Sequence, residues 1–459
     1  MSEYTTRDDQ EEIACDEEIE KPVEQREIDH SHIDLNALWV VRRLHARGYE
    51  AYLTGGCVRD LLLGKTPKDF DVATNAKPAD IQEVFSNSRL VGRRFLLAHI
   101  YFPGGRVIET ATFRASPDKN SGDLLVRRDN AYGTLEEDAE RRDLTINGLF
   151  YDPVSKNLID FVGGQADLRA GTIRSIGDPD VRMQEDPVRM LRAIKFSCRL
   201  GFDIEPATLS AIRNHAADIV RCAPARLQEE LLGLLKSKQA KSCMLKCQQL
   251  GILDALLPEL MEGLSGNLAA EKSEKVETQQ EQQEAAATAN TQEAETSQKS
   301  EGPVSALQRQ QHWQAMLHTL DEVCSRGTEV EGTVLFAAML LPAYNALIKV
   351  GRNADSWLEQ VCAQWGKRIR LIRRDQDFIR LLLSCVTETF LQQELPENAM
   401  KNVVRKSWFV QALLLYILHL HSTGQPLDSV KKWKQVAHQE NKPYIQIRKV
   451  SSRANTRAS

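Results

Sequence analysis

Between Ala51 and Phe113 the apolar residues of this 459-residue chain fall into short alternating runs, AYLTG, FDVAT, LLAHIYF and RVIETATF; from Asp186 onward they recur with a helical period. That change of period confines any sheet to the first third of the chain. It predicts an α+β fold: a small mixed β-sheet head followed by an elongated all-α neck, body and tail. An amphipathic helix from Leu35, with Leu38, Val41 and Leu44 on one side, and short helices after Gly56 and in KPADIQEVF complete the head. Thr134 and Glu137 have capping-box spacing, and YDPVSKNLIDFVGG reads as a hairpin. The expected division is a head over 34–150, a neck with nucleotide- and RNA-binding helices over 151–264, and a helical body and tail over 304–440.

Charge sets the rest of the chain apart. The formal charge of −5 conceals −9 on residues 1–33 and −5 on residues 265–303, which leaves +9 on the remainder. The two acidic stretches are poor in large apolar residues and are expected to be disordered, an N-terminal arm and a low-complexity insertion, with 441–459 as a mobile basic tail. A basic folded remainder suits a polyanionic partner. The cysteines are nine and scattered, and only Cys243 and Cys247 are close; on a helix that spacing ordinarily places two small apolar residues on a buried face, and no second Cys/His pair suggests zinc. The acidic start lacks the apolar core of a signal peptide, and the apolar runs Val334–Leu341 and Phe409–Leu418 are shorter than a bilayer span. The expectation is a reduced, cytoplasmic protein without a membrane.

The residues with chemistry begin in GGCVRDLLLGKTPKDFDV, 55–72. In a strand Asp69 and Asp71 point the same way and Phe70 the other, and two carboxylates on one face repel unless a cation lies between them. Mg²⁺, which completes its shell with water and phosphate oxygens, fits such a pair. Alone, D-x-D is most often a surface turn. Gly55-Gly56, at a strand end leading into a helix, adds free backbone N–H groups for phosphate, with Arg59 one turn in; Gly-Gly in isolation is an ordinary turn. For a third carboxylate two candidates stand: Glu109, on the strand-like RVIETATFR, which could sit beside the Asp pair in a sheet, and Asp143, which with Asn147 forms an i,i+4 pair beside Arg142 in RRDLTIN. In EDPVRMLRAIKF, Asp186 reads as N-cap before Pro187, Arg189 and Arg192 share an outward face near Phe196, and Leu191, Ile194 and Cys198 face the core. Arginine donors beside a carboxylate can bond a base edge as well as a phosphate.

Taken in order, GGCVRD, DFDVAT, ETATFR, RRDLTIN, LIDFVGGQADL and EDPVRMLRAIKF resemble the nucleotidyltransferases of the DNA polymerase beta superfamily that extend RNA 3′ ends without a template, a group holding the CCA-adding enzymes and the bacterial poly(A) polymerases. The likeness runs from about Ala51 to Leu257. LVGRRFLLAHI resembles a hallmark segment of the poly(A) polymerases, with Leu96 where that segment carries Arg, and VLFAAML resembles a helix of their body. The resemblance implies two-metal addition of AMP from ATP to RNA 3′ ends with release of pyrophosphate. It implies Mg²⁺ (or Mn²⁺) on Asp69 and Asp71, Asp143 as a third catalytic aspartate, and nucleotide contacts from Gly55, Gly56, Arg59, Arg142, Asn147, Asp186, Arg189 and Arg192. The expected partners are ATP, RNA 3′ ends and RNA-decay proteins, with the chain a monomer. The alternatives are CCA addition to tRNA and a non-catalytic RNA-binding protein on the same scaffold; a phosphohydrolase lacks its H…HD…D cluster.

Overall fold

In the computed structural model the described residues are 27–92, 96–115, 131–266, 305–392 and 395–444. Most of the acidic arm, nearly all of the acidic insertion, the end of the basic tail and Arg93–Phe95 of LVGRRFLLAHI therefore lie outside the described residues. The chain forms two compact units, the first closing at Thr172 and the second opening at Ile173.

The first unit is built on a seven-stranded mixed sheet. Its elements in chain order are α1 (Leu35–His45), β1 (Ala51–Thr54), α2 (Gly56–Leu62), β2 (Asp71–Thr74), α3 (Pro78–Val84), β3 (Ser88–Val91), β4 (Leu97–Phe102), β5 (Arg106–Thr112), α4 (Leu135–Glu140), β6 (Leu149–Asp152), β7 (Asn157–Asp160) and α5 (Gly164–Ala170). The strand order is β3-β4-β5-β2-β1-β6-β7, and β2 with β5 is the parallel pair. Alternation along the strands sorts the two faces. Leu53 and Val72, in register, are buried on one; Tyr52 and Ala73 lie on the other, where Ala73 clusters with Phe113, Ala139 and Phe150 under α4. The Thr134–Glu137 capping box starts α4 as expected: Thr134 Oγ1 accepts the Glu137 N–H, and Glu137 Oε2 accepts the Thr134 N–H.

Both ends of the predicted head move outward. The hairpin assigned to the neck belongs to the sheet, because β1 pairs Leu53 and Thr54 with Tyr151 and Phe150 of β6 and so buries them. At the other end, part of the arm expected to be disordered is folded. Asp29 caps a 3₁₀ turn over His30–His32, His30 Nε2 hydrogen-bonds the Tyr151 hydroxyl at 2.6 Å, and Ile33 is buried. An apolar side chain and a long-range hydrogen bond outweigh the acidic composition there.

The second unit is helical. Its first part comprises α6 (Pro179–Glu185), α7 (Val188–Leu200), α8 (Pro206–Asn214), α9 (Pro224–Leu235), α10 (Ala240–Gln249), α11 (Ile252–Leu256) and α12 (Pro258–Ser265). Beyond residue 304 follow α13 (Ala306–Ser325), α14 (Gly332–Lys349), α15 (Ala354–Arg368), α16 (Arg373–Ser384), α17 (Glu397–Val404), α18 (Phe409–Ser422) and α19 (Asp428–Gln439). Helix α14 corrects the expectation about apolar length: its 18 residues are long and apolar enough to cross a membrane by length and composition. In the fold 72% of that stretch is buried, with Phe336 edge-on to Trp365, so it serves as a core helix. Cys243 and Cys247 are both buried on α10, as the spacing predicts.

Candidate active site

The first unit gathers most of the sequence-predicted residues. The parallel register sets Asp71 directly beside Glu109, on the face that also carries Ala73 and α4. Phe70 turns the other way and is buried. Asp69 lies in the bend leading into β2 rather than in the strand, yet its charge still reaches Asp71. One strand further, His99 Nε2 stands 3.5 Å from Glu109 Oε1, so His99, Glu109 and Asp71 form a row across β4, β5 and β2. Asp71 presents exposed surface but sits among many protein atoms. Lost hydration first, then the Glu109 carboxylate, push its carboxyl up to about 6; Asp69 adds to the rise and Arg142 opposes it.

Gly55 ends β1 with φ 71° and ψ −131°, a conformation that requires glycine. A Cβ there would stand 3.3 Å from Arg142 Nη1. The Gly55 N–H is taken by the Leu149 carbonyl, which leaves the first amides of α2, from Gly56 on, without an intrahelical acceptor.

Arg59 departs from expectation. Instead of reaching outward to an anion, its guanidinium is buried, donating from Nε and Nη2 to Asp60 Oδ1 at 2.8 and 2.7 Å and from Nη1 to Asn147 Oδ1 at 2.7 Å. Asn147 in turn donates to Asp143 Oδ1 at 3.3 Å. Asp143 and Asn147 therefore meet, but not on a helical face. Helix α4 stops at Glu140, and Asp143 lies between it and a 3₁₀ turn over Thr145–Asn147. Arg142 stacks 4.7 Å from the centroid of the Phe150 ring, while Asp138 Oδ2 accepts from its Nη2 at 2.8 Å. Asp138 is almost fully buried, and although desolvation works against it, Arg142 and Arg141 hold its carboxyl below the usual range.

Asp186, Arg189 and Arg192 lie in the second unit. Asp186 does not cap α7, whose N-cap is Pro187; its carboxylate accepts a two-pronged pair from Arg226 of α9, 2.9 Å at each oxygen. Arg189 donates to the Arg182 carbonyl at 3.1 Å and to Glu185 at 3.2 Å, so it is not paired with Asp186. Arg192 and Lys195 both donate to Glu230 of α9, at 3.3 and 2.5 Å, and Arg192 lies 5.7 Å from the Phe196 ring centroid. The face is a charged lattice rather than a set of outward arginines.

Several of these partners escaped sequence reading. Asp138 carried a signal, since it stands four residues before Arg142 in TLEEDAERRD. His99 sat in a recognised strand. Arg226 and Glu230 lie 40 and 38 residues from their partners, and no local pattern marks them. Among the described residues no three His, Cys, Asp or Glu side chains gather closely enough to cage a metal ion. Mg²⁺ needs only one or two carboxylates besides water and phosphate, so Asp71 with a neighbour, Asp69 or Glu109, fits as a donor pair.

Residues 51–174 match the family model described as Poly A polymerase head domain, and residues 201–264 the one described as Probable RNA and SrmB- binding site of polymerase A. Poly(A) polymerase I of Haemophilus influenzae is 50% identical over 234 residues, which is 49% of this chain and 52% of that protein. A CCA-adding enzyme of Limosilactobacillus fermentum is 37% identical over 210 residues, 44% of this chain and 50% of that protein. The chain thus spans about half the length of these curated relatives. Among solved structures, the Bacillus stearothermophilus CCA-adding enzyme in complex with CTP superposes with a TM-score of 0.60 at 22% identity, over 88% of this chain and 82% of that one. The Thermotoga maritima CCA-adding enzyme complexed with tRNA_CCA gives 0.54 at 20%, over 89% and 84%. At these identities the likeness is one of fold.

Proposed function

Starting from the match of residues 51–174 to the family model described as Poly A polymerase head domain, we propose that the chain adds AMP from ATP to RNA 3′ ends without a template, releasing pyrophosphate, in RNA processing and decay in the cytoplasm. The observation that carries this reading is the register of Asp71 against Glu109, with Asp69 beside them and Asp71 pushed up to about 6. Desolvation and the neighbouring carboxylates outweigh the nearby Arg142, so the site favours a further cation, which a metal-bound triphosphate would supply. The 50% identity to poly(A) polymerases across just under half of the chain supports the choice of adenylyl transfer.

Nucleotidyltransferases of this kind use divalent cations, and Asp69 and Asp71, with Glu109 adjoining, would hold Mg²⁺ (or Mn²⁺). When bound, the ion neutralises polyphosphate charge and acidifies the attacking hydroxyl. The chain's own residues do the rest. Gly55 and Gly56 let phosphate oxygens approach the first amides of α2. Arg142, fixed by Asp138, sets a cation near Asp71. Arg59 and Asn147 act through each other to orient Asp143. In the second unit the charged lattice of Asp186, Arg189 and Arg192 with Glu185, Arg226 and Glu230 is the proposed nucleotide- and RNA-contacting surface. RNA-decay proteins are the proposed partners.

The fold shared with CCA-adding enzymes keeps one alternative in view. Purified full-length protein is offered ATP or CTP with an unstructured RNA and with tRNA lacking its 3′ end. Long A-tails on the unstructured RNA, with CTP poorly used, are expected. A single CCA on the tRNA would replace this reading with CCA addition, and binding without extension would leave a non-catalytic RNA-binding protein.

A further inference from the structure

The loop between α15 and α16 carries more positive charge than local stability accounts for. Five of the eight residues 367–374 are lysine or arginine. Lys367 and Arg368 end α15, where the helix dipole favours cations. Arg373 and Arg374 do the opposite: they open α16, where the dipole favours acids, and the N-cap, Ile372, supplies no side-chain acceptor; Asp375 is the acid of that turn. Between the helices Arg370 takes φ 53°, a region that a bulky side chain adopts only where its surroundings impose it. Here they do. Ile369 and Leu371 on either side are buried, their N–H groups both donate to the Trp365 carbonyl, at 2.9 and 3.3 Å, and Gln376 Nε2 donates to the Leu371 carbonyl at 2.6 Å. Arg370 is thereby held out into solvent. The acids close by are already engaged. Glu259 of α12 accepts from Arg368 Nη1 at 2.7 Å on each carboxylate oxygen, Asp377 lies 3.4 Å from Arg373, and Glu359 lies 3.7 Å from Arg380. Lys367, Arg370 and Arg374 are exposed and pair with no acid among the described residues.

We propose that this loop is a docking surface for the phosphate backbone of RNA, with Lys367, Arg370 and Arg374 as its contacts. The inference rests on the reading of the chain as an enzyme that extends RNA, and it adds a contact region on elements other than those that carry Asp186, Arg189 and Arg192. A left-handed arginine and two arginines at a helix N-terminus are choices that folding alone disfavours, and a polyanion lying across them offsets that cost. Guanidinium groups match phosphate oxygens with paired N–H donors, and a backbone already fixed by Trp365 and Gln376 presents Arg370 with little left to order on binding. The Arg368–Glu259 pair ties the loop to α12, so it adjoins residues 201–264, the segment matched by the RNA-binding-site model. The competing polyanions are the chain's own acidic stretches, −9 over residues 1–33 and −5 over residues 265–303. RNA, with a charge on every nucleotide, is far denser in charge than either. Phosphates carry no sequence information, so contact here adds affinity without base preference.

The test follows binding of fluorescein-labelled unstructured RNA to the full-length protein by anisotropy, without ATP, at salt concentrations between about 50 and 200 mM. The variant combines Lys367→Gln, Arg370→Asn and Arg374→Gln, because asparagine tolerates the left-handed backbone and glutamine the helix ends. Each cation on single-stranded RNA contributes about 0.7 to the slope of log affinity against log salt, so the variant should lower that slope by about 2 and weaken binding by roughly 10- to 100-fold near the middle of the range. Should the triple variant fail to fold, Arg374→Gln alone decides, with an expected loss of about 0.7 in slope. Extension of the same RNA by the wild type with ATP is followed in parallel; failure there counts against the function proposed above, whereas the binding comparison judges the loop. A variant that binds with wild-type affinity and slope would overturn the proposal. Tighter binding by the variant would overturn it too, and would assign the loop to an acidic segment of this chain.

Discussion

Replacing Asp71 with Asn should remove nucleotidyl transfer while making the first unit more stable at neutral pH. The reason lies in the carboxylate row. Asp71 moves from an ordinary 3.8 to about 6 because hydration is lost and Glu109 and Asp69 repel it. An acid whose folded pKa lies above its unfolded value holds its proton more tightly when folded. Its contribution to stability is full below about 3.8 and is lost as pH rises through about 6. Taken at face value that step corresponds to roughly 3 kcal/mol. Asp71 retains exposed surface, so solvent screening reduces the figure to about 1 kcal/mol. For a unit of this size, about 1 kcal/mol moves the melting temperature by roughly 2–4 °C. Thermal unfolding of wild type and Asp71→Asn near pH 7.5 and near pH 4 should show that gain at the higher pH and none at the lower. Added Mg²⁺ should stabilise the wild type and leave the variant unmoved. A variant that melts below the wild type at pH 7.5, or one equally shifted at both pH values, would refute the repulsion argument.

Other substitutions probe the surroundings. Asp138→Ala strands Arg141 and Arg142 beside a buried position and should cost about 3–5 kcal/mol, measured by denaturant unfolding, with Asp138→Asn intermediate. Because the Asp138 carboxyl is held low, its contribution is present above the ordinary range and lost as pH falls. Gly55→Ala forces a side chain into φ 71° and against Arg142 Nη1, so it should destabilise by roughly 1–3 kcal/mol and raise the KM for ATP. In the body, burial drives His312 and His419 down to about 4, and His419 Nδ1 has no hydrogen-bond partner. A base depressed in the folded state gives stability above 6.5 that is lost as pH falls through about 4, on the order of 3 kcal/mol for His419. His419→Leu should flatten the dependence of melting temperature on pH across that interval.

What the sequence disclosed, and what it withheld, follows from the range of the interactions concerned. Strand runs, the Thr134 capping box, the buried Cys243–Cys247 face and the inward turn of Phe70 opposite Asp71 rest on contacts within a few residues, which a period of 2 or 3.6 encodes. The position of Glu109 beside Asp71 needed the register of β2 on β5, and an alternating run carries no information about its partner strand. The same limit explains Arg59. Its neighbour Asp60 was visible in GGCVRD, but the turn that brings Asn147 over from 88 residues away was not, so an arginine beside a glycine pair read as a free anion ligand. It also explains Asp186, whose local sequence satisfies the N-cap pattern while a guanidinium 40 residues on takes the carboxylate. In both cases an inward partner displaced an outward reading. A charged side chain beside a predicted ligand site is thus as much a candidate for holding its neighbours as for touching the ligand. The guanidinium of Arg59 is buried and donates to Asp60 and Asn147, and Asn147 donates to Asp143, which is the support for the proposed role of Arg59 in orienting Asp143.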